Sequence, residues 1–156
     1  MIHKEGLASH HLNSYNEFIE HGIQDIIDEV SGIDIETTVT PYRVKFGKLH
    51  IGYPRTVELD GSISKTLPLE ARLRDLNYSA PITLEMTTEE NGVPRETQKH
   101  HIGDIPIMVR SDKCETSRMD EDQIIEIGED SCDPGGYFII NGSERVIVGL
   151  EDLSYN

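Results

Sequence analysis

The sequence contains few cysteines, no tryptophan and no long apolar run, and each scarcity excludes a class of protein. With two cysteines in 156 residues, the chain is not a disulfide-rich secreted scaffold, and Cys114 and Cys132 are expected to be reduced thiols. No apolar segment approaches the ~20 residues that a membrane-spanning helix requires. Residues 1–5 lack the apolar core of a secretory signal, so we expect a cytoplasmic protein.

Basic residues are also scarce in this chain. Only 14 lysines and arginines accompany 29 aspartates and glutamates, which gives a net charge of −15. Because proteins that bind nucleic acid on their own carry clustered lysine and arginine, we do not expect this chain to bind DNA tightly by itself. Two explanations of the acidity stay open. Either the chain is an outer wall of a larger assembly whose basic surface lies elsewhere, or the acidic surface keeps it soluble in a salty cytoplasm.

The length of 156 residues predicts one domain, residues 1–156, with a core that needs neither disulfides nor a metal. Two cysteines provide only half of the four ligands that structural zinc requires, so a zinc site would have to recruit His100 or His101. Neither cysteine belongs to a Cys-x-x-Cys pair. We therefore predict no metal site and no cofactor in this chain.

A long amphipathic helix is predicted near the N-terminus. Apolar residues recur at three- and four-residue spacing from Ser9 to Val30, which marks a single apolar stripe. Ser9 is a suitable N-cap, and Gly32 is a suitable stop signal. Residues 34–41 mix β-branched and acidic side chains and are predicted to be a linker.

The remainder of the chain has the pattern of strands and turns. Alternating apolar residues predict strands over residues 42–52, 77–87, 96–102 and 104–110. Gly47 marks a β-bulge, and Asp60-Gly61 and Asn91-Gly92 mark hairpin turns. Short helices are expected after Pro68 and after Asp120, which is a good cap. The prediction is an α+β fold, in which one long N-terminal helix packs on a mostly antiparallel, strand-rich body with short helical insertions.

Residues 135–148 have the pattern of a tight hairpin. The apolar runs 137–140 and 146–148 are predicted strands, and a polar tip separates them. Asn141 and Gly142 supply the positive φ angles that a two-residue turn requires, so both are predicted to be structural. For Arg145 we favour an internal acidic partner over a contact with nucleic acid.

The chain shows no catalytic constellation. The Gly-Gly pair at 135–136 precedes a strand rather than a helix, so it does not form a phosphate-binding loop. The acids of residues 120–130 spread around a solvated helix and loop, which favours a charged surface over a carboxylate metallohydrolase. The adjacent histidines at 10–11 and at 100–101 point in different directions and cannot chelate together. No catalytic residue is predicted.

A basic spot occurs within residues 70–81. Arg72 and Arg74 have two interpretations, and the chemistry favours the first. In the first, they form ion pairs with Glu70 and Asp75 at the end of a helix. In the second, they face phosphate or a neighbouring subunit, because arginine binds phosphate through a bidentate fork.

Four blocks of the sequence, in this order, resemble one known family. They are GLASHHLNSYNEFI at residues 6–19, EARLRDLNYSAP at 70–81, IGDIPIMVRS at 102–111 and GGYFIINGSERVIV at 135–148. Together they are similar to the second-largest, β-like subunit of DNA-directed RNA polymerases. The interposed residues 111–134 resemble the archaeal forms of this subunit. Asp75 and Asn77 depart from the family's usual asparagine and threonine, and the added charge at Asp75 weakens a phosphate-binding role for its neighbours.

The resemblance implies a place in transcription, in the N-terminal protrusion of the subunit. It implies contacts with other polymerase subunits, with the DNA template and the RNA–DNA hybrid, and with basal initiation factors. The whole enzyme is a nucleotidyltransferase, but no catalytic residue is expected in this segment, and its Mg and Zn ions are expected elsewhere. The residues that we predict to contact nucleic acid or subunits are Arg72, Arg74, Arg110, Lys113 and Arg145. The alternative is a stand-alone acidic interaction module derived from the subunit.

Overall fold

The computed structural model describes residues 6, 8–35 and 41–150 of the chain. These residues confirm the predicted α+β fold, because a long N-terminal helical segment lies against antiparallel sheets and short helices lie between strands. The helices are α1 (Ser9–Glu17), α2 (Ile23–Val30), α3 (Pro68–Leu73) and α4 (Glu121–Glu126). The strands are β1 (Gly32–Ile35), β2 (Tyr42–Ile51), β3 (Arg55–Val57), β4 (Ile63–Lys65), β5 (Ser79–Glu90), β6 (Val93–Pro106), β7 (Phe138–Ile140) and β8 (Ser143–Arg145).

A π-helical turn at Phe18–Gly22 connects α1 to α2 within one continuous helical segment. Ser9 is the first helical residue rather than the cap, and Ala8 precedes it without a capping side chain. A π-helical turn holds more residues than an α-helical turn, so it rotates the apolar residues that follow it relative to those before it. Tyr15 is buried, whereas Phe18, the first residue of the π-helical turn, remains 44% exposed.

The main sheet has the strand order β1-β2-β5-β6, and every neighbouring pair is antiparallel. The predicted bulge at Gly47 is confirmed by a register shift between Phe46 and Leu49. The linker prediction is wrong for Asp34 and Ile35, because both pair with β2. The linker's residues 36–40 lie outside the described residues.

The prediction of separate strands over residues 96–102 and 104–110 is also wrong. β6 is one long strand that absorbs the irregularity next to Gly103 as a register shift against β5. The chain then leaves the sheet, and the amides of Ile107 and Val109 donate to carbonyls outside it. A local pattern could not show this, because alternation continues through the point where the hydrogen-bonding partner changes.

The core lies where α3, the start of β5, the segment after β6 and strand β7 meet. Its buried residues are Ala71, Tyr78, Ala80, Ile107, Val109, Cys114 and Ile139. The Tyr78 hydroxyl donates to Cys114 Sγ at 3.4 Å and accepts a hydrogen bond from the Glu115 amide at 3.1 Å. Burial raises the pKa of Tyr78 well above its usual range. The buried hydroxyl is therefore neutral and satisfied.

The hairpin β7–β8 confirms the predicted turn at Asn141 and Gly142, whose φ angles are 48° and 70°. The second strand was predicted at the wrong place, because Ile140 pairs with Ser143 and β8 is the polar segment Ser143–Arg145. A two-residue turn fixes this register, so the strand must begin directly after Gly142. The apolar residues 146–148 follow β8 and are exposed.

Two further local predictions are confirmed. Asp120 caps α4 through a capping box, in which its carboxylate accepts from the Gln123 amide at 2.9 Å and its own amide donates to Gln123 Oε1 at 3.1 Å. Gly61, with a φ of 82°, lies in the turn between β3 and β4. Within the described ranges, no helix is long and apolar enough to cross a membrane.

Candidate anion-binding surface

Arg72 lies at the end of α3 and binds side chains that are far away in the sequence. Its Nη1 atom lies 3.0 Å from Glu129 Oε2, and its Nε atom lies 2.8 Å from Glu144 Oε1. Its Nη2 atom donates to the Tyr137 hydroxyl at 2.5 Å, and that hydroxyl donates to Asp133 Oδ2 at 2.5 Å. We call these five residues the arginine hub.

The ion pair between Arg72 and Glu129 is largely buried, which makes it important for the stability of the fold. The side chain of Glu129 is 7% exposed and that of Arg72 is 20% exposed. Burial alone would lower the pKa of Arg72, but Tyr137, Glu129 and Glu144 outweigh it and raise the pKa above its ordinary value. Burial likewise raises the pKa of Tyr137, and its hydrogen bond to Asp133 adds to the effect. The Arg72 guanidinium therefore makes its ion pairs and hydrogen bonds with other residues of this chain.

Arg74 is also held by carboxylates, but at the surface. Its guanidinium binds both oxygens of Glu58, with Nη2 lying 2.8 Å from Oε2, and it binds Glu70 at 2.5 Å. The hydrogen bonds from Arg74 and then from Ser64 lower the pKa of Glu58. The predicted ion pair of Arg74 with Glu70 is confirmed. Arg72 is also ion-paired, but with Glu129 and Glu144 instead of the predicted Glu70 or Asp75.

Two other predicted contact residues differ in their surroundings. Arg110 donates to backbone carbonyls of Thr116 at 3.4 Å and of Asp130 at 3.0 Å, so it supports the loop after the core. Arg145 forms no ion pair with any described residue, and the internal acidic partner that we favoured is not found. It lies beside an apolar groove that Phe138 and Ile140 help to line.

Lys113, the remaining predicted residue, lies in a cleft between the helical segment and β2. The cleft has a volume of about 510 Å³. Its basic and aromatic lining residues are Lys48, His50, Tyr53, Lys113 and Arg118. We call it the basic cleft. The sequence brings these residues from two separate segments, and four of the five were not among the predicted contact residues.

Two irregular pieces of backbone contribute residues to the basic cleft. The π-helical turn provides Ile19, and the β2 bulge provides Lys48. Gln24 joins the helical segment to the bulge, because its Nε2 donates to the Gly47 carbonyl at 3.3 Å and its Oε1 accepts from the Leu49 amide at 2.8 Å. The two hydrogen bonds bracket Lys48, so they fix the backbone that carries this side chain.

Tyr53 organises two cations of the basic cleft. The Arg118 guanidinium lies over its ring, 4.7 Å from the centroid, and the Lys113 ammonium lies 5.3 Å from the same centroid. Arg118 also donates to the Tyr53 hydroxyl, and Lys113 Nζ donates to the Ile51 carbonyl at 3.1 Å. The loop that carries Lys113 is tied to α1, because the Asp112 amide donates to Asn16 Oδ1 at 3.1 Å.

The electrostatics of the basic cleft differ from those of the arginine hub. Within the described part of the chain, no carboxylate lies within 4.0 Å of the charged nitrogens of Lys48, Lys113 or Arg118. Glu20 and Asp112 also line the cleft. The arrangement can bind an anion, because three cations lie together and none of them forms an ion pair with a described carboxylate.

The candidate metal ligands of the sequence lie apart. Cys114 is buried in the core and Cys132 is exposed. In residues 6, 8–35 and 41–150, no three or more histidine, cysteine, aspartate or glutamate side chains form a group that could hold a metal ion. His50, which the sequence did not single out, lies 3.0 Å from Glu85 Oε1. Its hydrogen bond lowers the pKa of Glu85, and Lys99 lowers that pKa further.

Comparison with known families places the chain in a class. The profile of a family described as RNA polymerase beta subunit matches residues 6–154. Because the match covers nearly the whole sequence, the chain belongs to the RNA polymerase beta subunit family. The resemblance drawn from the four sequence blocks is thereby confirmed.

The chain is similar to archaeal second-largest subunits. It is 48% identical over 152 residues to DNA-directed RNA polymerase subunit Rpo2 of Saccharolobus solfataricus, covering 97% of this chain and 13% of the relative. It is 46% identical over 162 residues to subunit Rpo2N of Halobacterium salinarum, covering 98% and 31%. Subunit Rpo2N of Methanothermobacter thermautotrophicus is 46% identical over 154 residues, covering 98% and 29%. The chain therefore spans less than a third of the length of these relatives.

Proposed function

We propose that this chain forms the N-terminal protrusion of the second-largest subunit of a DNA-directed RNA polymerase. There it walls one side of the DNA cleft during transcription. The observation that carries the proposal is the family match over residues 6–154. The proposed partners are other polymerase subunits, the DNA template, the RNA–DNA hybrid and basal initiation factors, and the proposed compartment is the cytoplasm.

The proposed contribution is structural. The arginine hub supports it, because Arg72 joins α3 to Glu129 and to Glu144, which lie 57 and 72 residues further along the chain. A wall must keep its shape while nucleic acid moves past it, and charge-assisted contacts between distant segments, of which the one to Glu129 is buried, give that rigidity. In the proposed enzyme, a nucleotidyltransferase, the catalytic residues and the Mg and Zn ions belong to other parts of the assembly.

The acidity of the chain fits a wall better than an autonomous DNA-binding domain. A net charge of −15 repels phosphate over a distance set by the ionic strength. The two arginines of the family-like block 70–81, which the sequence offered as phosphate ligands, are both engaged by carboxylates. Contact with DNA in the proposed assembly therefore depends on basic surfaces that other chains or segments supply.

Co-purification tests the proposal. An affinity-tagged copy of the chain, expressed in its source cells, is expected to purify with the other RNA polymerase subunits in a fraction that synthesises RNA from a DNA template. Mass spectrometry of the purified fraction identifies the subunits, and an untagged strain controls for retention on the resin. If the tagged chain purifies without polymerase subunits, the stand-alone interaction module is the correct reading.

A further inference from the structure

Three of the cations that lack an ion pair among the described residues lie in the basic cleft. The described lysines and arginines that form no ion pair are Lys48, Arg55, Arg110, Lys113, Arg118 and Arg145. Half of this set lines one cleft. In a chain with a charge of −15, cations that come together without an ion-paired carboxylate among the described residues are placed for an external anion.

We propose that the basic cleft binds an acidic peptide segment of a partner protein, in which carboxylates alternate with apolar side chains. The proposal does not depend on the proposed place of the chain in a polymerase. Its chemistry follows from the two kinds of lining in the cleft. Lys48, Lys113 and Arg118 match the carboxylates, and the aliphatic side chains of the floor match the apolar residues of the segment.

The floor of the basic cleft favours a peptide over a nucleic acid. Ile19, Leu49 and Ile51 line it, and aliphatic side chains give a peptide anchor a surface to bury. A nucleic acid would bring a phosphate about every 3.4 Å of each strand, and Glu20 and Asp112 at the same cleft would repel such a row. A peptide in which carboxylates alternate with apolar residues can place its apolar residues beside Glu20 and Asp112.

Tyr53, the aromatic residue of the cleft, also favours a peptide over a nucleic acid. Single-stranded nucleic acid binds proteins by stacking bases on exposed aromatic rings. Over the ring of Tyr53, however, lie Arg118 and Lys113, at 4.7 and 5.3 Å from its centroid. A base would have to displace a cation to stack there. The ring instead holds the cations in position, which lowers the entropic cost of binding a carboxylate.

The backbone of the cleft supports a binding role. A π-helical turn and a β-bulge are each rare or irregular features that occur often at functional sites, and here both contribute residues to one cleft. Gln24 holds the bulge through hydrogen bonds on both sides of Lys48. The cleft is therefore formed before any ligand arrives, which favours binding of a short segment.

A fluorescence anisotropy titration tests the proposal. The probe is a short fluorescein-labelled peptide in which aspartate and leucine alternate, at about 0.1 M salt, where charges are screened beyond ~10 Å. We expect saturable binding to the 156-residue chain. Lys48→Glu and Arg118→Glu are each expected to weaken it about tenfold, because each variant replaces attraction with repulsion. A peptide of alternating aspartate and serine is expected to bind several-fold more weakly.

Arg55→Glu is the matched control. It makes the same change of charge at an exposed cation that does not line the cleft, so binding is expected to change less than about twofold. Lys48 and Arg118 are exposed, so we expect each variant to keep the fold, and circular dichroism checks this. The proposal fails if the peptide does not bind, or if Arg55→Glu weakens binding as much as the cleft variants. It fails also if a labelled oligothymidylate binds more tightly than the peptide and loses affinity with the cleft variants.

Discussion

The arginine hub and the basic cleft use the same kind of side chain in opposite ways. In the hub, Arg72 binds Glu129 and Glu144, and its Nη2 atom donates to the Tyr137 hydroxyl. In the cleft, Lys113 and Arg118 contact an aromatic ring and a backbone carbonyl, and within the described residues no carboxylate neutralises them. The arginine hub therefore stabilises the fold, whereas the cations of the basic cleft remain available to bind a ligand.

Burial explains the difference. A charge that leaves water needs a partner of opposite charge, because the cost of desolvation is several kcal/mol per ion. Glu129 is 7% exposed, so its ion pair with Arg72 is a requirement of the fold. Lys48 and Arg118 keep their contact with solvent and have no such requirement. Burial thus makes the ion pair of Arg72 necessary for folding, whereas the exposed cations Lys48 and Arg118 of the basic cleft need no carboxylate partner.

The largest predicted effect comes from removing the central cation of the arginine hub. Arg72→Met is expected to lower the free energy of unfolding by about 3 kcal/mol, because it leaves the buried Glu129 without a countercharge. Urea denaturation with unchanged m-value measures the loss. The double variant Arg72→Met/Glu129→Gln is expected to recover more than half of it, because it removes both charges.

Arg118→Met is the matched control from the basic cleft. It is expected to change the free energy of unfolding by less than about 0.5 kcal/mol, as surface substitutions usually do. Equal losses in Arg72→Met and Arg118→Met would show that the two regions do not differ as described.

The next effect concerns the turn that lies against the hub. Gly142→Val is expected to cost about 2–3 kcal/mol, because a β-branched residue is strained at a φ of 70° and meets a crowded site. An added Cβ would lie 2.5 Å from Asp75 Oδ1 and 3.0 Å from the Arg72 carbonyl. Thermal and urea denaturation measure the loss.

Gly61→Val separates strain from crowding. Gly61 has a similar φ of 82°, but an added Cβ there meets nothing within 4 Å. We expect a loss of about 1 kcal/mol from backbone strain alone. If Gly61→Val and Gly142→Val are equally destabilising, the close approach of the hairpin turn to Asp75 does not contribute.

The sequence predicted the parts of this fold that depend on near neighbours. The Asn141-Gly142 turn, the Asp120 cap and the Gly47 bulge are local, because a few adjacent residues determine their φ angles and hydrogen bonds. The π-helical turn was missed, because the apolar spacing of the helix is compatible with either geometry. The strand β1 was missed because its pairing depends on β2.

The candidate site was predictable only in part. Lys113 was predicted to make contacts, but Lys48 and Arg118 were not, since they are 70 positions apart and no spacing rule connects them. The partners of Arg72 were missed for the same reason. Glu129 and Glu144 lie in segments that only the packing of the core brings to α3. Whether a cation is ion-paired within the chain or available to a ligand depends on the tertiary structure.

The smallest predicted effect concerns pH and sharpens the comparison at the surface. The pKa of Glu58 is lowered by Arg74 and then by Ser64, so its contribution to stability is complete above its ordinary value of 4.5. The contribution is lost as the pH falls through the lowered pKa of the folded state. Arg74→Ala is therefore expected to reduce the urea midpoint slightly at pH 7, and the difference from the wild type should shrink as the solution is acidified.

Arg118→Ala is the comparison for this titration. Within the described residues it has no carboxylate partner, so its small effect on the urea midpoint is expected to stay constant over the same acid range. Parallel denaturation series from neutral to acidic pH measure both variants. A pH-dependent loss in Arg118→Ala would mean that a carboxylate neutralises this cation in solution. In that case Arg118 would be ion-paired, as Arg72 is in the arginine hub, and the basic cleft would have fewer available charges than its geometry indicates.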